Sequence, residues 1–215
     1  METLTFTTDD GIRLEGELRL PDDPPAGTAV ICHPHPRHGG SKDHPLLWAI
    51  RNELAGASGF AVLSFNFRGV LGSGGTYGGG HDELRDAWAA ITRVREEAPD
   101  VPTVVTGWSF GASVALRETL DDERVSGLAV VGLPLAPNDL SLPALPEGAA
   151  VRTRHLPTLF VAGENDEYCP SNLLEEYAAA TGATAAIIQG TDHYFWRRER
   201  EAAALIGAFA AGVVA

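Results

Sequence analysis

A short, largely β-branched run at residues 101–106 leads into Gly107-Trp108-Ser109-Phe110-Gly111. The residues after it, 110–120, carry Ala112, Ala115 and Leu116 at helical spacing. Strand, sharp turn, helix is the local structure this dictates, with a serine at the turn. A serine so placed takes a strained backbone conformation, tolerable only where its neighbours are small. Gly107 and Gly111 supply that room. The helix N-terminus then directs unpaired N–H groups and partial positive charge at any oxygen that becomes negative beside the serine. A passive serine in a glycine-rich turn is the bland alternative, and the rest of the chain has to decide between them.

From residue 28 onward, strand and helix patterns alternate. Residues 28–33, 60–66, 101–106, 125–132, 157–163 and 184–189 read as buried strands. Residues 43–57, 81–98, 110–120, 170–180 and 194–211 read as helices. In the helix at 43–57, Leu46, Leu47, Ile50 and Leu54 share a face and Ser41 or Asp43 is placed to cap it. In the helix at 81–98 the apolar spacing is Leu84, Trp88, Ile91 and Val94. Ahead of these, 4–8 and 12–20 alternate polar and apolar residues around Asp10-Gly11 as a half-exposed hairpin. The expected architecture is α/β: a mainly parallel sheet with helices on both faces and an antiparallel N-terminal hairpin. Residues 133–154 contain four prolines and are the least regular part, either an acyl-binding lid or a plain crossover.

Length and charge narrow the field. The chain's 215 residues fit a single domain spanning 1–215, and a net charge of −13 argues against nucleic acid or an anionic membrane as partner. No basic-then-apolar leader opens the sequence and no segment has the apolar length of a membrane span, so a cytoplasmic protein acting on a small molecule is expected. Only Lys42 among the 16 basic residues is a lysine, which fits either arginine-rich codon usage or salt adaptation. Cys32 and Cys169 form no C-x-x-C and support neither a disulfide framework nor a zinc ribbon. Cys32 reads as a small buried hydrophobe, and Cys169 stands three residues past Asp166. The glycine-dense run at 67–80 matches no nucleotide-binding pattern and reads as a mobile loop, so no cofactor is implied.

In an open α/β sheet, chemistry gathers at the carboxyl ends of the strands. Ser109, Asp166 and His193 each follow an expected strand, and they occur in the chain order of a G-x-S-x-G nucleophile elbow with its acid and base. The imidazole of His193 would take the serine proton while Asp166 fixes its tautomer. Glu164, Glu167 and Asp192 are the competing acids. Asp192 adjoins His193 and would diverge from it, Glu164 stands where the strand is only starting to turn, and Glu167 leads into the next helix. In His33-Pro34-His35-Pro36 the prolines lack N–H groups, leaving His35 as the backbone donor between 34 and 36. Its N–H and that of Phe110 are the expected oxyanion hole. A metal held by His33, His35, His38 and His44 is the competing use of that loop, disfavoured by its proline-braced stiffness.

These segments carry a family resemblance. His33-Pro-His-Pro with Gly39-Gly40-Ser41, Asn66-Phe-Arg-Gly69, Gly107-Trp-Ser-Phe-Gly-Ala112, Gly163-Glu-Asn-Asp166 and Gly190-Thr-Asp-His193 resemble a family of small, lid-poor α/β-hydrolases. A more distant likeness is to dienelactone hydrolases, which have cysteine where Ser109 stands. The resemblance spans residues 28–196 and implies the fold and the Ser109, Asp166, His193 triad without a substrate. Where members read Gly-Arg-Ser after the Asn-Phe-Arg-Gly segment, this chain has Val70-Leu71-Gly72-Ser73. A serine hydrolase of a small ester, thioester or amide is the expected function. A non-catalytic binding protein and an acyltransferase using the same triad are the alternatives.

Overall fold

The computed structural model describes residues 2–136 and 142–215, organised around one eight-stranded sheet. The hairpin forms β1 (Glu2–Thr7) and β2 (Arg13–Arg19). The later strands are β3 (Gly27–Cys32), β4 (Phe60–Phe65), β5 (Thr103–Trp108), β6 (Gly127–Val131), β7 (Thr158–Gly163) and β8 (Thr184–Ile188). Their spatial order is β1-β2-β4-β3-β5-β6-β7-β8. The pairs β1/β2 and β2/β4 are antiparallel and all others parallel, as the sequence pattern implies.

Strands β3 to β7 are buried along their whole length because both faces are covered, which is why they read as continuous apolar runs and not as alternating ones. Successive side chains still go to opposite sides. Val30, Val105 and Val130 join one core layer with residues of α2 (Glu83–Arg95), α3 (Phe110–Glu118) and α5 (Ser171–Thr181). Ile31, Val104 and Val131 join the other with α1 (Pro45–Gly56) and α6 (Glu199–Val214). A sixth helix, α4 (Gly148–Thr153), packs on α5, where Gly148 lies against Ala180.

Three local expectations need correction. The cap of α1 is neither Ser41 nor Asp43 but His44, whose Nδ1 accepts the Leu46 N–H at 3.3 Å. On α2 the buried residues are Glu83, Asp86, Ala87, Ala89, Ala90, Ile91 and Val94. Trp88 faces solvent with the Arg124 guanidinium 4.6 Å from its ring centre. The last helix begins at Glu199, not near 194. Residues 194–198 make turns in which Phe195 and Arg197 hold positive φ angles of 56° and 65°.

The buried carboxylates of α2 explain the glycine-dense run before it. Glu83 accepts the N–H groups of Gly78 and Gly80, both at 2.7 Å. Asp86 accepts the Arg68 N–H at 2.9 Å, and its carboxylate pairs with the Arg68 guanidinium, which also grips Asp10. A run expected to be mobile is thus tied at several points to α2 and the hairpin.

Of residues 133–154, the stretch 137–141 lies outside the described residues. Its flanks follow the crossover from β6 to β7: Leu133 is buried, and the N–H groups of Leu135 and Ala136 both donate to Tyr168 O.

Candidate active site

The elbow is built by close backbone approach. Ser109 sits at φ 57°, ψ −116°, between β5 and the first turn of α3. A Cβ on Gly107 would stand 2.4 Å from the Gly111 carbonyl oxygen, and one on Gly111 would stand 2.2 Å from the Cys32 carbonyl oxygen at the end of β3. Both glycines are required by sterics, though the second makes room for β3 as much as for the serine. The Ser109 N–H donates to Val131 O at 2.9 Å, pinning the turn to β6.

Three side chains from three strand ends meet here. The Oγ of Ser109 lies 2.9 Å from Nε2 of His193, and Nδ1 of His193 lies 2.8 and 2.9 Å from the two carboxylate oxygens of Asp166. The carboxylate is fully buried, and its Oδ1 also accepts the N–H groups of Tyr168 and Cys169 at 2.9 Å. Those donors keep it aimed at the imidazole. The loop that carries His193 is anchored by the Trp108 indole, whose Nε1–H donates to His193 O at 3.0 Å. Gly132, at the end of β6 with φ 58°, leaves space for the imidazole: a Cβ there would come within 3.0 Å of its Cε1.

The competing acids have other work. Asp192 accepts the N–H of Tyr194 and closes its own turn, while Glu164 accepts that of Gly190 and links the loop after β7 to the loop after β8. Glu167 is exposed. Cys169 contributes its backbone N–H and not its thiol, which burial pushes well up, as it does that of Cys32.

The loop after β3 approaches the elbow from the other side. The His35 ring lies 5.2 Å from that of Phe110, and among the described residues the N–H groups of His35 and Phe110 have no hydrogen-bond acceptor within the protein. The peptide that bears the His35 N–H is itself held. Phe67 donates its N–H to Nε2 of His33 at 3.0 Å, which places the ring proton on Nδ1, and Nδ1 donates to Pro34 O at 2.6 Å. Gly40 permits this packing, since a Cβ there would sit 2.2 Å from the same carbonyl oxygen.

Both ring nitrogens of His33 are therefore engaged, and burial lowers it to about 4. His35, lowered to about 4 by burial and then by the neighbouring His38 and Arg37, takes the Arg37 N–H on Nδ1 and turns Nε2 toward the Tyr77 hydroxyl at 3.3 Å. His44 spends Nδ1 on the cap of α1. Among the described residues no group of three or more His, Cys, Asp or Glu is arranged to hold an ion.

A cavity of about 220 Å³ opens over Ser109. Besides the residues named from the sequence, its walls include Tyr168, Tyr194 and Trp196, which sequence reasoning passed over. Their only signal was position, one to three residues past Asp166 or His193. The departing segment Val70-Leu71-Gly72-Ser73 does not line this cavity. Ser73 instead ties the loop to the hairpin, donating to Asn66 O and accepting the Glu15 N–H.

The family described as "Alpha/beta hydrolase domain" matches the chain over residues 28–211. The chain belongs to this family. An alpha-beta serine hydrolase homologue from Coxiella burnetii has the same fold with a TM-score of 0.83, at 26% identity over 96% of each chain. A serine hydrolase of this class without a lid, from Xanthomonas campestris, superimposes with a TM-score of 0.80 at 25% identity, covering 97% of this chain and 92% of that one. An uncharacterized protein of Rickettsia prowazekii is 26% identical over 212 residues, 94% of this chain and 85% of its own length. The sequence motifs suggest a family of small α/β-hydrolases, and the family found is an α/β-hydrolase family.

Proposed function

We propose that the protein is a serine hydrolase that cleaves a small ester, thioester or amide through an acyl-enzyme on Ser109. One observation carries this reading: an unbroken hydrogen-bond chain from Oγ of Ser109 through the imidazole of His193 to the buried carboxylate of Asp166. A serine hydroxyl is a weak nucleophile at neutral pH, and a base within hydrogen-bond reach is what activates it. Oγ attacks the substrate carbonyl carbon as its proton passes to Nε2, and Asp166 stabilises the resulting imidazolium. The carbonyl oxygen, now negative, is received by the N–H groups of His35 and Phe110, each worth roughly 10²–10³ in rate in such sites. As the tetrahedral adduct collapses, the bond to the leaving group breaks and Nε2 returns the proton to it. Water then repeats the sequence on the acyl-enzyme.

The family's serine hydrolases support the reaction class, and the small cavity supports short acyl groups over long lipid-like ones. A fluorophosphonate probe should label Ser109, and Ser109→Ala should abolish both labelling and turnover of responsive esters while the protein stays folded. Turnover that survives Ser109→Ala would overturn the reading.

A further inference from the structure

The walls of the cavity have a composition that the hydrolytic reaction itself does not require. They include the rings of His35 and His38, centred 4.5 Å apart, and that of His44, tilted against Trp108 at 4.3 Å with Trp196 5.9 Å from it. Gly39 and Gly40, which have no side chains, also line the space. Among the described residues no arginine, lysine, aspartate or glutamate lines the space. The nearby guanidinium of Arg37 lies over the Tyr77 ring instead, and the carboxylate of Asp166 is sealed behind His193. Burial depresses His35 and His44, so near neutral pH these two imidazoles are uncharged. Tyr194 and Trp196 are 46% and 58% exposed, apolar surface that a bound molecule would cover.

We propose that the substrate presents one uncharged aromatic ring to this cavity, attached to the scissile carbonyl through its acyl or its alcohol side. The proposal rests on the serine-hydrolase reading above and adds the class of molecule. Three properties decide it. A charged group would lose its water with no arginine, lysine, aspartate or glutamate among the described lining residues to pair with it. At about 220 Å³ the space falls short of the ~300–1,000 Å³ that holds drug-sized ligands, so one ring fits and a long chain does not. A saturated ring of similar size would gain the same burial, but only a π-face gains offset or edge-on contact with indole and imidazole, an advantage of roughly three- to tenfold per well-placed ring.

The test compares kcat/KM within matched pairs whose reacting bond is unchanged: methyl phenylacetate against methyl cyclohexylacetate, and benzyl acetate against cyclohexylmethyl acetate. The aromatic member should win by about three- to tenfold in at least one pair, and Trp196→Leu, at an exposed position, should bring that ratio toward one. The methyl ester of 4-carboxyphenylacetate should be at least about tenfold poorer than methyl phenylacetate, since its charge is unpaired in the site. Ratios of one or below in both pairs overturn the aromatic class, and full activity on the carboxylate-bearing ester overturns the uncharged requirement. If none of these esters turns over, protection of Ser109 from fluorophosphonate by benzylboronic and cyclohexylmethylboronic acids gives the same comparison. Absence of any Ser109 labelling would instead bring down the hydrolase reading, and this proposal with it.

Discussion

Asp166 differs from its neighbours in what its oxygens touch: an imidazole and two backbone N–H groups, where Asp192 closes a turn and Glu164 links two loops through a single backbone N–H. Asp166→Asn should lower kcat by roughly 10²–10⁴ with KM nearly kept, as loss of a transition-state interaction requires. Asp192→Asn and Glu164→Gln should stay within about threefold of the parent enzyme, since the carboxylate hydrogen-bonded to His193 is that of Asp166. A steady-state comparison of the three variants checks the assignment, and a crippling Asp192→Asn would reverse it. His33 poses a different question at the same scale. Its ring links the Phe67 N–H to the carbonyl of the very peptide whose other end is the His35 N–H. His33→Phe removes that brace and leaves the Phe67 N–H unpaired, so kcat should fall by at least about tenfold while fluorophosphonate still reaches Ser109.

At the scale of elements, the site could be read from sequence because each of its side chains follows a strand. Fixing β5, β7 and β8 places Ser109, Asp166 and His193 on one edge wherever the helices go. What escaped the sequence was decided by tertiary demand. Glu83 and Asp86 are buried because the N–H groups of residues 68–80 and the Arg68 guanidinium need acceptors, and helical periodicity of apolar residues does not register that need. Tyr194 to Arg198 have ordinary helix-compatible residues, yet two left-handed φ values break the helix there, so that Phe195 enters the core while Trp196 stays at the cavity. The elbow yields its own prediction. With φ 57° at Ser109, glycine relieves strain that alanine keeps, so Ser109→Gly should unfold at higher denaturant than Ser109→Ala by about 1 kcal/mol. Gly111→Ala, whose Cβ would meet backbone at 2.2 Å, should cost about 3 kcal/mol or fail to fold. Equal midpoints for the two Ser109 variants would mean that the turn is unstrained.

Over the whole molecule, charge sets how stability depends on solution conditions. The net −13 repels itself, and the lone lysine is spent internally, Lys42 being buried against Glu17 and Asp43. If the acidity is an adaptation to salt, the unfolding midpoint should climb strongly from ~0.1 M to molar KCl as screening relieves repulsion; a flat response indicates codon usage. The pH dependence has two limbs from two buried groups. His33, held at about 4 against an ordinary 6.5, is neutral when folded. The unfolded chain therefore binds the extra proton between those values, and the stability present above pH 6.5 is lost as pH falls through 4, by about 3 kcal/mol for this group alone. His35 acts in the same sense. Glu118 is the mirror case. Burial, then the neighbouring Asp122, raises it from 4.5 to about 8, and its Oε2 has no partner among the described residues. Its contribution is complete below pH 4.5 and is lost as pH rises through 8, and Asp86, raised by burial against the pull of Arg68, adds to that limb. Between 4.5 and 6.5 the two trends oppose each other, so the thermal midpoint should be flattest there and decline on both sides. Glu118→Gln removes the ionisable group and keeps the shape. It should raise the midpoint at pH 8, leave it nearly unchanged at pH 4.5, and leave the acid limb in place. Calorimetry of both proteins across pH 4–8 checks this, and an alkaline limb that persists in Glu118→Gln would assign it to another group.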